Sequence, residues 1–259
     1  MCILAIQYKL VPDTPILVAA NREERFDRPS TTPSIQSGKP RVLCGLDQEA
    51  GGTWLGVNQH GMFVAACNRF KTIMPPSPRS RGVLCRELLR AGSARRAVDT
   101  ALDEISSGHY DGVNFVIADS ESGWVVHGGD DYEAVELEEG LSIVANNDVN
   151  DPRDERVKLA QRLLTLQTLD SPVKFLAVAS KVFARPASAP NRPSMVVRRP
   201  QRGTVSSTLL ALGKKPRDAI YQYAEGAPDQ AKYEDFSPLL RDILSRGLRE
   251  ARGKEKARA

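Results

Sequence analysis

Several features are scarce or missing in this chain of 259 residues, and each absence argues against a class of protein. Its cysteines lie far apart, none forms a Cys-x-x-Cys pair, and no secretory leader is recognisable. This pattern predicts reduced thiols and a cytoplasmic protein rather than a disulfide framework. No apolar run approaches the roughly 18 residues of a transmembrane helix, so no membrane insertion is expected. The four cysteines are Cys2, Cys44, Cys67 and Cys85.

The signatures of metal, haem, phosphate and serine chemistry are also missing. The three histidines, His60, His109 and His127, lack ligand spacing, so no metal site is predicted and each is expected in a turn or at the surface. There is no Cys-x-x-Cys-His motif for covalent haem. Gly51-Gly52 does not open a phosphate-binding helix, and Ser206-Ser207 lacks a nucleophile elbow.

Aromatic residues make up 6% of the chain, and they are not interleaved with its basic runs. The net charge of +4 is concentrated in residues 185–202 and 246–258. Basic runs of this kind are usually solvated surface, so nucleic-acid binding is not expected. The length predicts a single domain over residues 1–259, with residues 246–259 as a frayed basic tail.

What the chain does contain is concentrated in its first two dozen residues. Two apolar runs, residues 3–8 and 16–20, flank a Pro-Asp-Thr turn and predict a β-hairpin that ends in Asn21-Arg22-Glu23-Glu24. A small second residue generally permits removal of Met1, which would leave Cys2 with both a thiol and an α-amine. A nucleophile and a base on one residue are typical of N-terminal nucleophile catalysis. The alternative is that Cys2 is merely a small apolar residue in a buried strand.

The rest of the chain alternates hairpins with helical pairs. A second hairpin over residues 51–68 ends in Asn68, and we expect Asn68 and Asn21 at a common sheet edge. A later strand ends in Asn146-Asn147, and the last helix is predicted from residue 238 to about 252. Antiparallel hairpins interrupted by paired helices predict an α+β fold, a four-layer αββα sandwich of two antiparallel sheets.

Five segments in this order resemble the NRDE family, also called the transport-and-Golgi-organisation family. They are Met1-Cys2, residues 20–29, Gly51 to Gly56, Gly61 to Asn68, and Ser80-Arg81-Gly82. The resemblance implies a fold similar to N-terminal nucleophile (Ntn) hydrolases. More distantly it implies a similarity to the cysteine-dependent bile-salt hydrolases and penicillin V acylases.

The resemblance also implies roles for individual residues. Cys2 would be the nucleophile, Asn21-Arg22-Glu23 would match an acylase motif in which the carboxylate contacts the α-amine, and Asn68 and Asn146 would mark the oxyanion hole. Arg22, Trp54 and Arg81 would bind a substrate or ligand. Two departures stand out: Glu23 replaces the family's Asp, and Val205 stands where many members carry an Arg, with Arg202 nearby but out of register.

Two functions, and a third with neither role, stay open on the sequence. The first is a cysteine N-terminal nucleophile hydrolase that cleaves a non-cyclic amide C–N bond in a small-molecule substrate without a cofactor. The second, implied by the resemblance, is a non-catalytic protein that binds or traffics haem or acyl-lipids. The third is a scaffold that neither catalyses nor binds. The oligomeric state is left open.

Overall fold

The structure is a computed structural model that describes residues 2–256, with side-chain surroundings described through residue 253. Thirteen strands and five helices are present in this range. The strands are β1 Ile3–Tyr8, β2 Ile16–Arg25, β3 Ser34–Gln36, β4 Val42–Cys44, β5 Leu55–Asn58, β6 Phe63–Asn68, β7 Val113–Ala118, β8 Gly123–Gly128, β9 Tyr132–Glu136, β10 Gly140–Val144, β11 Arg202–Leu212, β12 Ile220–Glu225 and β13 Glu234–Asp235. The helices are α1 Arg81–Leu88, α2 Ala94–Ser106, α3 Glu155–Leu164, α4 Pro172–Phe183 and α5 Ser237–Lys256.

The strands form two fully antiparallel sheets. The first has the order β10-β1-β2-β11-β12-β13 and the second the order β3-β4-β5-β6-β7-β8-β9. Helices α3 and α4 pack on the outer face of the first sheet, and α1 and α2 pack on that of the second. This is the predicted four-layer αββα arrangement.

Strand β1 shows why both sheets are lined with apolar residues. Leu4 and Ile6 face the core between the sheets, whereas Ile3 and Ala5 face the α3–α4 layer. All six residues of β1 are buried because both of its faces are covered. The hydrophobic effect therefore favours a continuous apolar strand here rather than one that alternates with polar residues.

The predicted helical pair begins at serine caps. The Ser80 and Ser93 hydroxyls accept hydrogen bonds from the backbone N–H groups of Val83 and Arg96, at the start of α1 and α2. Such caps satisfy backbone donors that have no partner inside the helix. The first of these caps fixes the start of α1 beside the candidate site described below.

One prediction about the fold differs from the structure. Asn21 and Asn68 do not share a sheet edge, because β2 belongs to the first sheet and β6 to the second. Helix α5 continues through the basic tail to Lys256, and residues 257–259 lie outside the described range, so that the tail is frayed stays a prediction. Glu250 anchors this helix by accepting hydrogen bonds from Gln59 Nε2 at 2.7 Å and from Arg41 at 3.2 Å.

No helix in the described part of the chain combines the length and the apolar character that a membrane span requires.

Candidate active site

A cavity of about 420 Å³ opens at one end of the sandwich, and both sheets contribute to its wall. The first sheet provides Cys2, Arg22 and Glu23, and the second provides Ala66 and Asn68. Cys2 directly precedes β1, and the pairing of Ile3 with Asn21 places it beside Arg22. Cys2 is half-buried. The structure thus brings together Cys2, Arg22, Glu23 and Asn68 from the predicted set, with Trp54 and Arg81 also in the wall.

Cys2 lies against a second thiol, that of Cys67 on β6. A hydrogen bond donated by the Cys67 thiol is the main cause that holds the pKa of the Cys2 thiol well below its usual range. Burial opposes this effect, while the Glu23 backbone N–H and the Arg22 charge add to it. The same hydrogen bond, together with burial, raises the pKa of Cys67. Cys2 is therefore expected to be the thiolate of the pair, and a thiolate is the nucleophilic form.

The other two cysteines lack this environment. Burial raises the pKa of Cys44 to about 11, and it raises that of Cys85 well above the usual range. Both are fully buried in the layer under α1 and α2. Differences in thiolate character therefore favour Cys2 over Cys44, Cys67 and Cys85 in reactions with electrophiles.

Arg22 lies between the two sheets and faces the cavity. Its guanidinium carbon is 4.2 Å from the centre of the Trp54 ring, and Nη1 donates a 3.1 Å hydrogen bond to the Ser30 hydroxyl. Among the described residues Arg22 forms no salt bridge, although it is only 7% exposed. The nearby Asp47 is held instead by Arg28 through two hydrogen bonds of 3.0 and 2.7 Å. Arg22 is thus suited to receive a negatively charged group of a ligand.

Glu23 is buried, and its carboxylate is engaged by Arg156 near the start of α3. Nη1 of Arg156 donates to Oε2 of Glu23 at 3.2 Å, and Nη2 donates to Oε1. Burial raises the pKa of Glu23, and the Arg156 charge opposes that rise. Sequence reasoning missed Arg156, which is 133 residues away along the chain.

Asn21 points away from the nucleophile. Both hydrogens of its Nδ2 group are used, by the carbonyls of Phe183 at 2.9 Å and Met195 at 2.8 Å. The side chain therefore ties β2 to the end of α4 and the segment after it. This geometry gives Asn21 a structural position and leaves its amide with no donor for a substrate.

The two predicted oxyanion asparagines lie on opposite sheets. Asn68, at the end of β6, lines the cavity. Asn146 follows β10, and because Leu4 pairs with Val144, Asn146 lies at the level of Cys2. Asn146 does not line the cavity as it stands; it is 7% exposed, and its Oδ1 is fully buried without a hydrogen-bond partner. Among the described residues nothing accepts a hydrogen bond from its Nδ2.

The start of α1 packs closely on the glycine pair Gly51-Gly52. A Cβ atom on Gly52 would lie 2.2 Å from the carbonyl carbon of Gly82, so glycine is required for this approach. The Thr53 N–H donates to the Gly82 carbonyl at 2.9 Å. Arg81 is then fixed at the cavity wall by a 2.6 Å hydrogen bond to the Gly112 carbonyl and by Asp111 at 3.4 Å.

Val205, the position at which many family members carry an Arg, lies outside this site. Val205 is at an irregularity of β11 between Thr204 and Ser206, and it lines a surface depression with Phe26 rather than the cavity. Arg202 pairs with Arg25 further along the same strand. Neither residue contributes to the wall around Cys2.

His127 is where the structure overturns a prediction, since it is buried in β8 rather than at the surface. Its ring faces Asn114, Glu133 and Asp148. Ligand atoms of His127, Glu133 and Asp148 lie within 4.8 Å of one another, which resembles a metal-binding group. The Arg69 guanidinium donates to Asp148 at 2.6 Å and approaches the His127 ring at 3.3 Å, so a cation is already present.

The chain is similar to known proteins in sequence and in fold. A model of the family described as Transport and Golgi organisation 2 matches residues 1–217. The mouse protein named Transport and Golgi organization 2 homolog is 33% identical over 128 residues, which cover 46% of this chain and 45% of that protein. The human protein, named Transport and Golgi organization protein 2 homolog, is 32% identical over 130 residues, which cover 46% of this chain and 45% of that protein. The chain thus matches slightly less than half the length of these curated relatives.

Solved structures share the architecture at low sequence identity. An N-acylethanolamine-hydrolyzing acid amidase ortholog from Caenorhabditis elegans matches with a TM-score of 0.53 and 13% identity, over 81% of this chain and 92% of that one. A penicillin V acylase from Agrobacterium tumefaciens matches with a TM-score of 0.51 and 10% identity, over 91% and 86%. These matches establish the Ntn-hydrolase fold that the sequence predicted.

Proposed function

The chain belongs to the Transport and Golgi organisation 2 family, and we propose that it is a cysteine N-terminal nucleophile hydrolase acting on a non-cyclic amide C–N bond. The observation that carries this proposal is the position of Cys2 in the cavity wall beside Arg22, with the Cys67 thiol lining an adjoining small cavity, on an Ntn-hydrolase fold. The structural neighbours named above are amide-cleaving enzymes by their titles, which supports the same reaction class.

The proposed reaction begins after removal of Met1. The Cys2 thiolate attacks the carbonyl carbon of the amide, and the electron pair of the C=O bond moves to oxygen. The Nδ2 group of Asn146 and a backbone N–H near Asn68 would donate to this oxyanion. Losing one donor of this kind typically costs about 10² to 10³ in rate.

The leaving group and the acyl-enzyme complete the cycle. The α-ammonium of Cys2 gives a proton to the amide nitrogen as the C–N bond breaks, and a thioester remains on Cys2. Water then attacks the thioester, with one of its protons taken by the α-amine, and the C–S bond breaks to release the carboxylic acid and regenerate the Cys2 thiolate beside the α-ammonium. The α-amine has an ordinary pKa of about 7.7 to 8.0, close to the value that suits both steps. The Glu23 carboxylate, itself held by Arg156, would orient this amine.

Removal of Met1 and acylation of Cys2 provide the direct test. Untagged protein is analysed by intact mass, then treated with p-nitrophenyl butyrate under burst conditions and digested to locate the acyl group. We expect loss of Met1, a burst of one nitrophenolate per chain, and butyrylation of Cys2. Cys2→Ala should abolish the burst, and Cys85→Ala is the matched control for losing a thiol elsewhere. A protein that keeps Met1, or a burst that persists in Cys2→Ala, would contradict the proposal.

A second candidate function is supported by Arg22. A buried guanidinium stacked on Trp54 and without a salt bridge among the described residues suits a ligand with a carboxylate and an apolar body, such as haem or an acyl-lipid. Binding without catalysis would use the same cavity. Absorption titration with haem, in parent protein and in Arg22→Gln, tests it: a saturable change at micromolar haem that weakens in the variant supports binding. No saturable change would contradict it.

We also propose that the protein works in the cytoplasm. All four cysteines are free, and two of them, Cys2 and Cys67, line the same small cavity. A reducing compartment keeps such a pair as thiol and thiolate. Fractionation of cells that express the tagged chain would test the location.

A further inference from the structure

We propose that Asn114 and His127 are positioning residues that hold Asn146 in place as an oxyanion donor for Cys2. This inference rests on the proposed function and adds two residues to it. Neither residue touches the cavity, and nothing in the sequence pattern marked either of them. Hydrogen bonds around the turn that follows β10 connect both residues to Asn146.

Asn114 grips the turn on both sides of Asn146. The side chain is fully buried in β7, and its Nδ2 donates to the Ala145 carbonyl at 3.0 Å and to the Asn147 carbonyl at 2.7 Å. These are the residues directly before and after Asn146. A third bond completes the grip, because the Phe70 N–H donates to the Asn146 carbonyl itself at 2.9 Å. The backbone of Asn146 is thus fixed from the second sheet, although Asn146 follows a strand of the first.

His127 fixes the orientation of Asn114. The distance from His127 Nδ1 to Asn114 Oδ1 is 2.8 Å, and since an amide oxygen accepts, this bond assigns the hydrogen to Nδ1. Arg69 Nη1 lies further from Nδ1, at 3.3 Å, and donates to the same Asn114 Oδ1 at 3.5 Å. The Val149 N–H approaches Nε2 at 3.5 Å, which agrees with an unprotonated Nε2. The amide of Asn114 therefore cannot flip without losing three hydrogen bonds. His127 acts on Asn146 only through Asn114.

The Asn146 side chain is left unpaired inside this rigid frame. It is more than nine-tenths buried, its Oδ1 has no hydrogen-bond partner, and among the described residues its Nδ2 has no acceptor. An unpaired buried amide is costly unless another group binds there. Three hydrogen bonds hold this turn in place, and the Asn146 amide lies at the level of Cys2. An oxyanion donor should not have to reorganise during the reaction, and a fixed turn of this kind meets that requirement.

Two probes separate positioning from general damage. Acylation of Cys2 by p-nitrophenyl butyrate passes through an oxyanion, whereas alkylation by iodoacetamide does not. Loss of the clamp should slow acylation and leave alkylation unchanged. A merely structural defect, which disturbs the site as a whole, would slow both.

The variants are Asn114→Ala, His127→Leu and His127→Asn, measured against parent protein. His127→Asn keeps an N–H group close to the position of Nδ1, and it is the conservative control. We expect acylation to fall about 10- to 100-fold in Asn114→Ala and His127→Leu. We expect it to fall less than about threefold in His127→Asn, with alkylation within about twofold of parent in all three. If Asn114→Ala does not fold, the comparison of acylation and alkylation rates between His127→Leu and His127→Asn is sufficient for the test.

Three outcomes would overturn the inference. Acylation of His127→Leu at the parental rate would overturn it while leaving the proposed function intact. Acylation and alkylation that fall together in His127→Leu would assign a general structural role instead. A parent protein without any Cys2-dependent burst would overturn the proposed function and this inference with it.

Discussion

At the scale of single residues, the reactivity of Cys2 depends on its neighbour Cys67. The Cys67 thiol donates the hydrogen bond that contributes most to the low pKa of Cys2. Arg22 and the Glu23 backbone add smaller contributions of the same sign. Removing the thiol donor should therefore return the pKa of Cys2 toward its ordinary value of about 8.5.

Cys67→Ala should shift the pH profile of Cys2 alkylation upward. At pH 6.5 a thiol with a pKa of 8.5 is about 1% thiolate, whereas the parental thiol is mostly ionised. The greater intrinsic reactivity of a more basic thiolate offsets most of this loss, so the rate should fall only about two- to fourfold at pH 6.5 and should exceed the parental rate at pH 9. Iodoacetamide rates from pH 5 to 9, mapped to Cys2 by mass spectrometry, measure the shift.

The matched control is Cys67→Ser, which keeps a hydrogen-bond donor at the same position. Its profile should remain close to that of the parent. An unchanged profile in Cys67→Ala would show that the Cys67 hydrogen bond does not govern the reactivity of Cys2.

Glu23 shows what a residue-level motif could not reveal. The family resemblance predicted that the Glu23 carboxylate lies beside the nucleophile, with Glu, one methylene longer, in place of the family's Asp. The structure places that carboxylate on Arg156, in a different element. A motif of four neighbouring residues contains no information about a partner 133 positions away, so this ion pair could be found only in the fold.

At the scale of elements, α5 depends on a glycine where it crosses the turn between β5 and β6. A Cβ atom on Gly247 would lie 1.9 Å from the Gln59 carbonyl oxygen, which is an impossible approach. Leu240, Ile243 and Leu244 of the same helix are buried in the core between the sheets. The helix therefore cannot move away at this point without disturbing that core.

Gly247→Ala should destabilise the protein, whereas the same change at Gly253 should not. A Cβ on Gly253 meets nothing within 4 Å, so Gly253→Ala gains helix propensity, up to about 1 kcal/mol. In Gly247→Ala the overpacking cost of about 1 to 3 kcal/mol exceeds that gain. Urea unfolding of both variants measures the two free energies. Equal stability of the pair would show that α5 does not pack on Gln59 as described.

Much of the fold could be predicted from elements whose signals are local. The opening hairpin, the paired helices and the αββα class were predicted and are confirmed. These features depend on turn residues, caps and apolar periodicity, which lie within one stretch of chain. The family resemblance drawn from the same residues is also confirmed.

What could not be predicted depends on contacts between distant elements. The expectation that Asn21 and Asn68 share a sheet edge was wrong, because strand endings do not tell which sheet a strand joins. His127 was expected in a turn or at the surface because the three histidines lack ligand spacing, but it is buried in β8, where Asn114 of the second sheet is its partner.

At the scale of the whole molecule, the candidate site is formed where two sheets end together. Cys2 and Arg22 come from the first sheet, and Cys67 and Asn68 from the second. Asn114 then ties β7 of the second sheet to the turn after β10 of the first. The relative position of the two sheets therefore sets the geometry of the site. Because His127 orients Asn114 and is titratable, protonation of His127 is expected to affect that geometry.

The stability of the protein should fall between pH 7.5 and pH 5 because of His127. Burial, followed by the Arg69 charge, lowers the pKa of His127 to about 4, against about 6.5 in an unfolded chain. Between these values the unfolded state binds the proton and the folded state does not, so stability rises with pH and is lost as pH falls. The expected loss by pH 5 is about 2 kcal/mol. The nearby Asp148 opposes the shift but does not reverse it.

Urea unfolding at pH 7.5, 6.5, 5.5 and 5.0 measures this loss, and His127→Asn, which does not titrate there, should flatten the curve. The aspartates with lowered pKa values, such as Asp47 and Asp151, lose their contribution only below about pH 4, so they do not enter this range. Glu23, whose pKa is raised by burial, favours the folded state as pH falls and would reduce the loss in parent and variant alike. The difference between the two curves therefore isolates His127. Parallel stability curves for parent protein and His127→Asn would mean that the His127 imidazole is not held neutral in the folded protein. Its ring would then carry protons on both Nδ1 and Nε2 while Nδ1 donates to Asn114.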